Sequence, residues 1–117
     1  MSFSTCVREM DGVSIIDLVG RVVLGEGARE TRAVISQVLG DGRRKVVVNM
    51  ALVEYMDSCG LGELVSAYAS SMRLGGEIKL ASMQPRVAGL MQVTKLSTLF
   101  ASYPDENTAV QSFEVKA

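Results

Sequence analysis

Three adjacent side chains, Asp57, Ser58 and Cys59, bring a carboxylate, a hydroxyl and a thiol together in a chain that contains no histidine. A hydroxyl or thiol becomes a nucleophile when a neighbouring base takes its proton or its pKa is lowered. The commonest general base and metal ligand is therefore missing, and no lysine is placed by motif to replace it. A helix N-terminus can lower a thiol pKa, which would favour Cys59, but no activating partner accompanies it. Catalysis by Ser58 or Cys59 is not expected. Gly60 and Gly62 follow at once. They remove side-chain bulk, so that a partner's backbone or a phosphate can approach closely.

The flanking residues say what must position this stretch. Lys45–Met50 is rich in β-branched residues, the composition of a buried strand. Leu61, Leu64, Val65, Tyr68 and Met72 recur at helical spacing. The chain thus passes from strand through a short loop into a helix. Asp57 is suited to cap that helix, because its carboxylate can accept from the first free backbone N–H groups. Ser58 then becomes the first helical residue, with its hydroxyl outward. Glycine in a helix interior costs roughly 0.8–1 kcal/mol relative to alanine, so two of them in the opening turns imply a constraint of shape or access. By residue type alone, the stretch is a capped helix start with two glycines.

The remaining elements follow from periodicity and punctuation. Phe3–Met10 and Val13–Val19 alternate as strands, and Asp11-Gly12 between them is a favoured two-residue hairpin turn. A bend is expected at Gly20, and Gly25 and Gly27 mark a loop. Ala28–Leu39 carries an apolar stripe of Ala28, Thr31, Ile35, Val38 and Leu39, and Gly40 suits a left-handed cap after it. Arg43, Arg44 and Lys45 lead into the buried strand as solvated entry charges. The helix starting at Ser58 runs to about Leu74 and stops at Gly75-Gly76. Glu77–Ser82 alternates as a strand. Pro85 opens a helix buried by Val87, Leu90, Met91 and Thr94. Leu99–Ser102 is a short last strand, and Pro104 to Asn107 opens a final helix reaching about Val115. Strands separated by helices need crossovers, which favours parallel pairing and right-handed βαβ units. The fold class is α/β: a single domain over residues 1–117 with a small mixed sheet and helices packed on it.

Composition narrows the partners. The 117 residues carry 12 Lys plus Arg against 13 Asp plus Glu, a net charge of −1. No basic excess points to nucleic acid. No apolar run approaches the roughly 20 residues of a membrane-spanning helix, and the first residues lack a signal-peptide pattern. A cytoplasmic chain without membrane insertion is expected. Cys6 and Cys59 lack metal-ligand spacing, so they are expected as free thiols, and neither metal nor cofactor is implied.

The segment Val46-Val47-Val48-Asn49-Met50 followed by Tyr55-Met56-Asp57-Ser58-Cys59-Gly60-Leu61-Gly62 resembles the signature of the STAS domain, in particular that of the anti-sigma factor antagonists. Their pattern is a hydrophobic strand, a short loop, then Asp-Ser-x-Gly-hydrophobic-Gly opening a helix. The likeness covers nearly the whole chain. It implies a partner, an anti-sigma factor with serine kinase activity, that binds the unphosphorylated chain and then phosphorylates Ser58. It also implies a serine phosphatase that resets the switch. On that resemblance Asp57, Ser58, Cys59, Gly60, Leu61, Gly62 and Glu63 form the partner-binding stretch. Two positions depart from the family. Cys59 stands where another small residue, commonly serine, is usual, and Val23 stands at about the place of an aspartate near the phosphorylated serine. STAS domains also serve in transport systems and larger signalling complexes, which is the alternative reading.

Overall fold

The structure, a computed structural model, describes residues 3–113. Strands β1 (Ser4–Met10) and β2 (Val13–Val22) form the expected hairpin. Its two turn residues, Asp11 and Gly12, have φ of 54° and 79°. Positive φ at both positions is what a type I′ turn needs to match the twist of its strands. Helix α1 (Glu26–Gly40) crosses over to β3 (Lys45–Met56), α2 (Ser58–Arg73) crosses to β4 (Glu77–Ala81), and α3 (Pro85–Val93) leads through a short 3-10 turn to β5 (Ser102–Tyr103). Helix α4 (Glu106–Gln111) is the last described element. The strand order in the sheet is the chain order, β1 to β5, with β1 antiparallel and the others parallel.

The period-2 alternation of the strands divides the core in two. Ile16 and Leu18 of β2, Val46 and Val48 of β3, and Ile78 and Leu80 of β4 meet Ile35, Leu64, Val87 and Met91 of the first three helices. Val13, Ile15, Val47 and Ala81 point the other way, against Ala109 and Val110 of α4. Val46, Val47 and Val48 are consecutive and all fully buried, the mark of a strand covered on both faces. Lys79 shares the α4 face. Its ammonium donates to Ser112 Oγ at 2.7 Å and to the Ser112 carbonyl at 3.2 Å, and it lies over the Phe113 ring. A cation is favoured at this helix C-terminus, where free carbonyls gather.

Several boundaries differ from the sequence reading. β3 does not end at Met50 but continues to Met56, and β2 continues to Val22 beside it. Pairing with each other supplies the hydrogen bonds that composition did not announce. Gly20 is not a bend out of the strand. It sits inside β2 with φ 115°, next to the step where the register passes from Gly20 opposite Val53 to Arg21 opposite Tyr55. A residue is left over on β3, so this is a β-bulge. Gly40 remains helical, and Gly42 takes the positive φ, at 91°. β5 lies at Ser102–Tyr103 rather than Leu99–Ser102, because Phe100 is drawn into the main core. The last helix ends at Gln111, with Ser112 as its C-cap, rather than running to about Val115; positions 114–117 lie outside the described residues.

One polar network ties α4 to the sheet. Arg8 donates to both carboxylate oxygens of Asp17, at 2.7 and 2.8 Å, and to both of Glu106, at 3.2 and 2.7 Å. Asn49 adds a bond to Asp17 at 2.8 Å. The Arg8 guanidinium holds the Asp17 carboxyl below its ordinary range, against the opposing effect of partial burial. A carboxyl with a depressed folded pKa contributes stability that is present above its unfolded pKa, about 3.9, and is lost as pH falls through the folded value. Replacing Arg8 by leucine is expected to cost about 1–2 kcal/mol at neutral pH. It should also flatten the loss of stability below about pH 4, because Asp17 then titrates near its unfolded value. Urea unfolding of both chains across that range measures the two effects.

Candidate functional site

Asp57 caps α2 with extended backbone (φ −104°, ψ −175°), and its Oδ1 accepts from the Gly60 N–H at 3.0 Å. Its second oxygen, Oδ2, accepts from the Leu24 N–H at 3.0 Å. The Asp57 N–H donates to the Val22 carbonyl at 3.3 Å, and the Asp57 carbonyl accepts from the Leu61 N–H at 3.0 Å. One residue therefore fastens the start of α2 to the end of β2 and to the loop after it. Partial desolvation pulls the Asp57 carboxyl upward. The bonds from the Leu24, Gly60 and Cys59 backbones outweigh it and hold the group below its ordinary range. Both carboxylate oxygens are engaged in holding the loop after β2 and the start of α2.

Ser58 is the first residue of α2 and is exposed. Cys59 is an exposed free thiol. Gly62 is exposed, and a Cβ there would meet nothing within 4 Å. Glu63 is half-buried and reaches Arg32 of α1 at 3.8 Å. Two members of the stretch point elsewhere. Leu61 is 5% exposed and packs in the main core. Gly60 is buried, and a Cβ on it would lie 2.1 Å from the Val22 carbonyl oxygen. The free space at Gly60 thus admits the fold's own strand rather than a partner or a phosphate, and neither residue lies on the surface of the free chain. Gly27 repeats the device, with 2.1 Å from a Cβ to the Arg21 carbonyl oxygen. Both helices start hard against the last two residues of β2.

That close approach shapes a groove of about 740 Å³ between the N-terminal turns of α1 and α2. Leu24, Ala28 and Arg29 form one wall, and Ser58, Cys59 and Gly62 the other. A smaller depression of about 140 Å³ extends it along the helices past Ser66 and Ser70. Leu24 is 75% exposed at the mouth. The sequence reading did not pick out Leu24 or Arg29. The one visible signal was an apolar residue set against glycine in a loop. Val23, where the family resemblance implies an aspartate, is half-buried, and its carbonyl accepts from Ala28.

The exposed Ser58 hydroxyl at this helix start is placed to receive a group. An anion on Ser58 would meet the favourable end of the α2 dipole. The Gly60 and Leu61 amides of that turn are already bonded to Asp57.

Comparisons with known proteins agree with this architecture. The family model of the STAS domain matches residues 5–109. The anti-sigma-B factor antagonist of Staphylococcus aureus (strain NCTC 8325 / PS 47) is 30% identical over 82 residues, covering 70% of this chain and 74% of that protein. The crystal structure of an anti-sigma factor antagonist from Mycobacterium paratuberculosis superposes with a TM-score of 0.85 at 25% identity, covering 95% of this chain and 93% of that one. The Bacillus cell fate determinant SpoIIAA in its phosphorylated form shares the fold, with a TM-score of 0.73 at 18% identity over 95% of this chain and 100% of that one.

The two glycines of α2 should respond oppositely to alanine. Gly60→Ala forces backbone apart at Val22 and is expected to cost about 1–3 kcal/mol. Gly62→Ala enters open space and is expected to be neutral or to stabilise by up to about 1 kcal/mol. Urea unfolding of the two variants provides the comparison. Equal effects would mean that Gly60 does not hold α2 against β2.

Proposed function

The chain belongs to the STAS domain family, and from that premise we propose that it is an anti-sigma factor antagonist switched by phosphorylation of Ser58. In this reading it is a cytoplasmic regulator without catalysis of its own. Unphosphorylated, it binds an anti-sigma factor that has serine kinase activity and so frees the sigma factor. The kinase then modifies Ser58, the complex weakens, and a serine phosphatase restores the binding form. Ser58, Cys59, Gly62 and Glu63 form the contact surface, with Asp57 as the residue that positions them.

The observation that carries the reading is the placement of Ser58: an exposed hydroxyl at a helix N-terminus whose cap is fastened by other groups. A phosphoserine adds about −1.5 to −2 charges at neutral pH. At this end of α2 the backbone dipole favours that charge, so the domain keeps its fold and the charge acts at the contact surface. A neighbour of the same fold, SpoIIAA, is known in a phosphorylated form, which supports phosphorylation on this fold.

Ser58→Ala should fold normally and resist modification. Ser58→Glu should also fold, gaining roughly 0.3–1 kcal/mol from the dipole. The decisive comparison is phosphorylated against unmodified chain, in affinity for the kinase and in thermal unfolding. An uncompensated charge buried against a partner costs about 3–5 kcal/mol, and each 1.4 kcal/mol is tenfold in affinity, roughly. A weakened complex with an unchanged melting transition is expected. Equal affinities would overturn the switch, and a collapsed melting transition would mean that phosphate acts through folding.

A further inference from the structure

Three elements bring two cations to one aromatic ring at the end of the sheet where α2 begins. The Arg21 guanidinium lies over the Tyr55 ring, 5.1 Å from its centroid, and that of Arg86 approaches the same ring at 6.0 Å. Arg21 on β2 is paired in register with Tyr55 on β3. Arg86 comes from the first turn of α3, whose cap residue Gln84 is fastened to β3 by an Nε2 bond to the Ala51 carbonyl at 2.7 Å. Both arginines are exposed.

The shared ring sets them apart from Arg29, Arg44 and Arg73, which are likewise without an ion pair among the described residues. Arg8, Arg32 and Arg43 each face a carboxylate. Among the described residues no carboxylate oxygen lies within 4.0 Å of the Arg21 or Arg86 guanidinium, and Glu54, beside Tyr55 in sequence, is no exception. The ring face offsets part of their mutual repulsion, because its quadrupole attracts cations. Exposed guanidinium groups without an ion-pair partner can make bidentate contact with carboxylates. A solvated surface arginine is common. Two held on one ring with no counter-ion form a preorganised acceptor for negative charge.

The cluster adjoins Ser58. Tyr55 precedes it by three residues, at most about 11 Å of chain. Val22, next to Arg21, accepts the Asp57 N–H. We infer that Arg21 and Arg86, mounted on Tyr55, are a docking point for an acidic segment of the protein that binds at Ser58. This rests on the proposed function and adds the chemistry of the partner: aspartate and glutamate side chains set beside the groove. A protein segment is favoured over nucleic acid because the chain is net −1 and the cluster offers two cations, whereas nucleic-acid affinity is built on about 6–10 phosphate contacts.

The probe is a synthetic peptide of alternating glutamate and glycine, titrated into the unmodified chain while the arginine Nε–H resonances are followed by NMR. Those of Arg21 and Arg86 should move together, while those of Arg29 and Arg73 stay. Arg21→Gln with Arg86→Gln should weaken the peptide about tenfold, as expected for two exposed charge pairs. Arg86→Gln alone, which leaves β2 unchanged, should give a smaller loss and keeps the test readable if the double variant fails to fold. Shifts spread over all exposed arginines, no shift, or an oligouridylate that binds the cluster more tightly than the peptide would overturn the assignment. The titration involves neither kinase nor phosphate. Its failure removes the docking point and leaves the Ser58 switch standing, and failure of the switch leaves the peptide result standing.

Discussion

The carboxylate of Asp57 is the joint on which this molecule turns. It accepts from Leu24, 33 residues earlier in the chain, on one side and from Gly60 of its own helix on the other. An N-cap by itself satisfies one of the amides that a helix start leaves without partners. Here the second oxygen also anchors the loop between β2 and α1, so the cap is a tertiary bond as well as a local one. Its hydrogen bonds hold the carboxyl below its ordinary range against partial desolvation. The exposed hydroxyl next door is therefore carried on a start of helix that is fixed from both sides.

The glycines follow from this joint. For Asp57 to reach both Leu24 and Gly60, α2 must begin almost in contact with the backbone of β2. A side chain at Gly60 would occupy the space of the Val22 carbonyl, and one at Gly27 that of Arg21. Both helices are brought close to the same strand end, and the groove beside Ser58 is the space left between their opening turns. Gly62 is free of this constraint and lies on the outer face. Two glycines separated by one residue thus serve opposite sides of the helix, since adjacent helical positions are turned by about 100° per residue.

The sheet separates stability from recognition. On its α4 face, Arg8 joins Asp17 and Glu106, and Lys79 holds Ser112. These charges are engaged by protein groups and secure a six-residue helix too short to persist alone. At the C-terminal end of the parallel strands lie Ser58, the groove and the Arg21–Tyr55–Arg86 cluster. There Ser58, Arg21 and Arg86 are exposed. In α/β sheets ligands gather at the carboxyl ends of the strands.

The sequence alone determined what depends on near neighbours. Alternation specified β1, β2 and the split of Ile16 and Leu18 from Val13 and Ile15. The Asp-Gly pair specified the hairpin, and Asp57 followed by Leu61 and Leu64 specified the cap and the inward face of α2. The order of strands and helices already required parallel crossovers. The tertiary structure decided what depends on distant partners. Ala51 to Met56 has no clear strand pattern and becomes strand because β2 lies beside it and takes its hydrogen bonds across a bulge. Gly60 reads from sequence as an opening toward a partner, and is instead filled by the approach of Val22. Arg21, Tyr55 and Arg86 are ordinary residues in sequence and a cluster only once β2, β3 and α3 converge. The reason is physical. Periodicity and capping are written in bonds and faces spanning a few residues, while strand ends, helix spacing and charge clusters are fixed by groups that packing, not sequence distance, brings within reach.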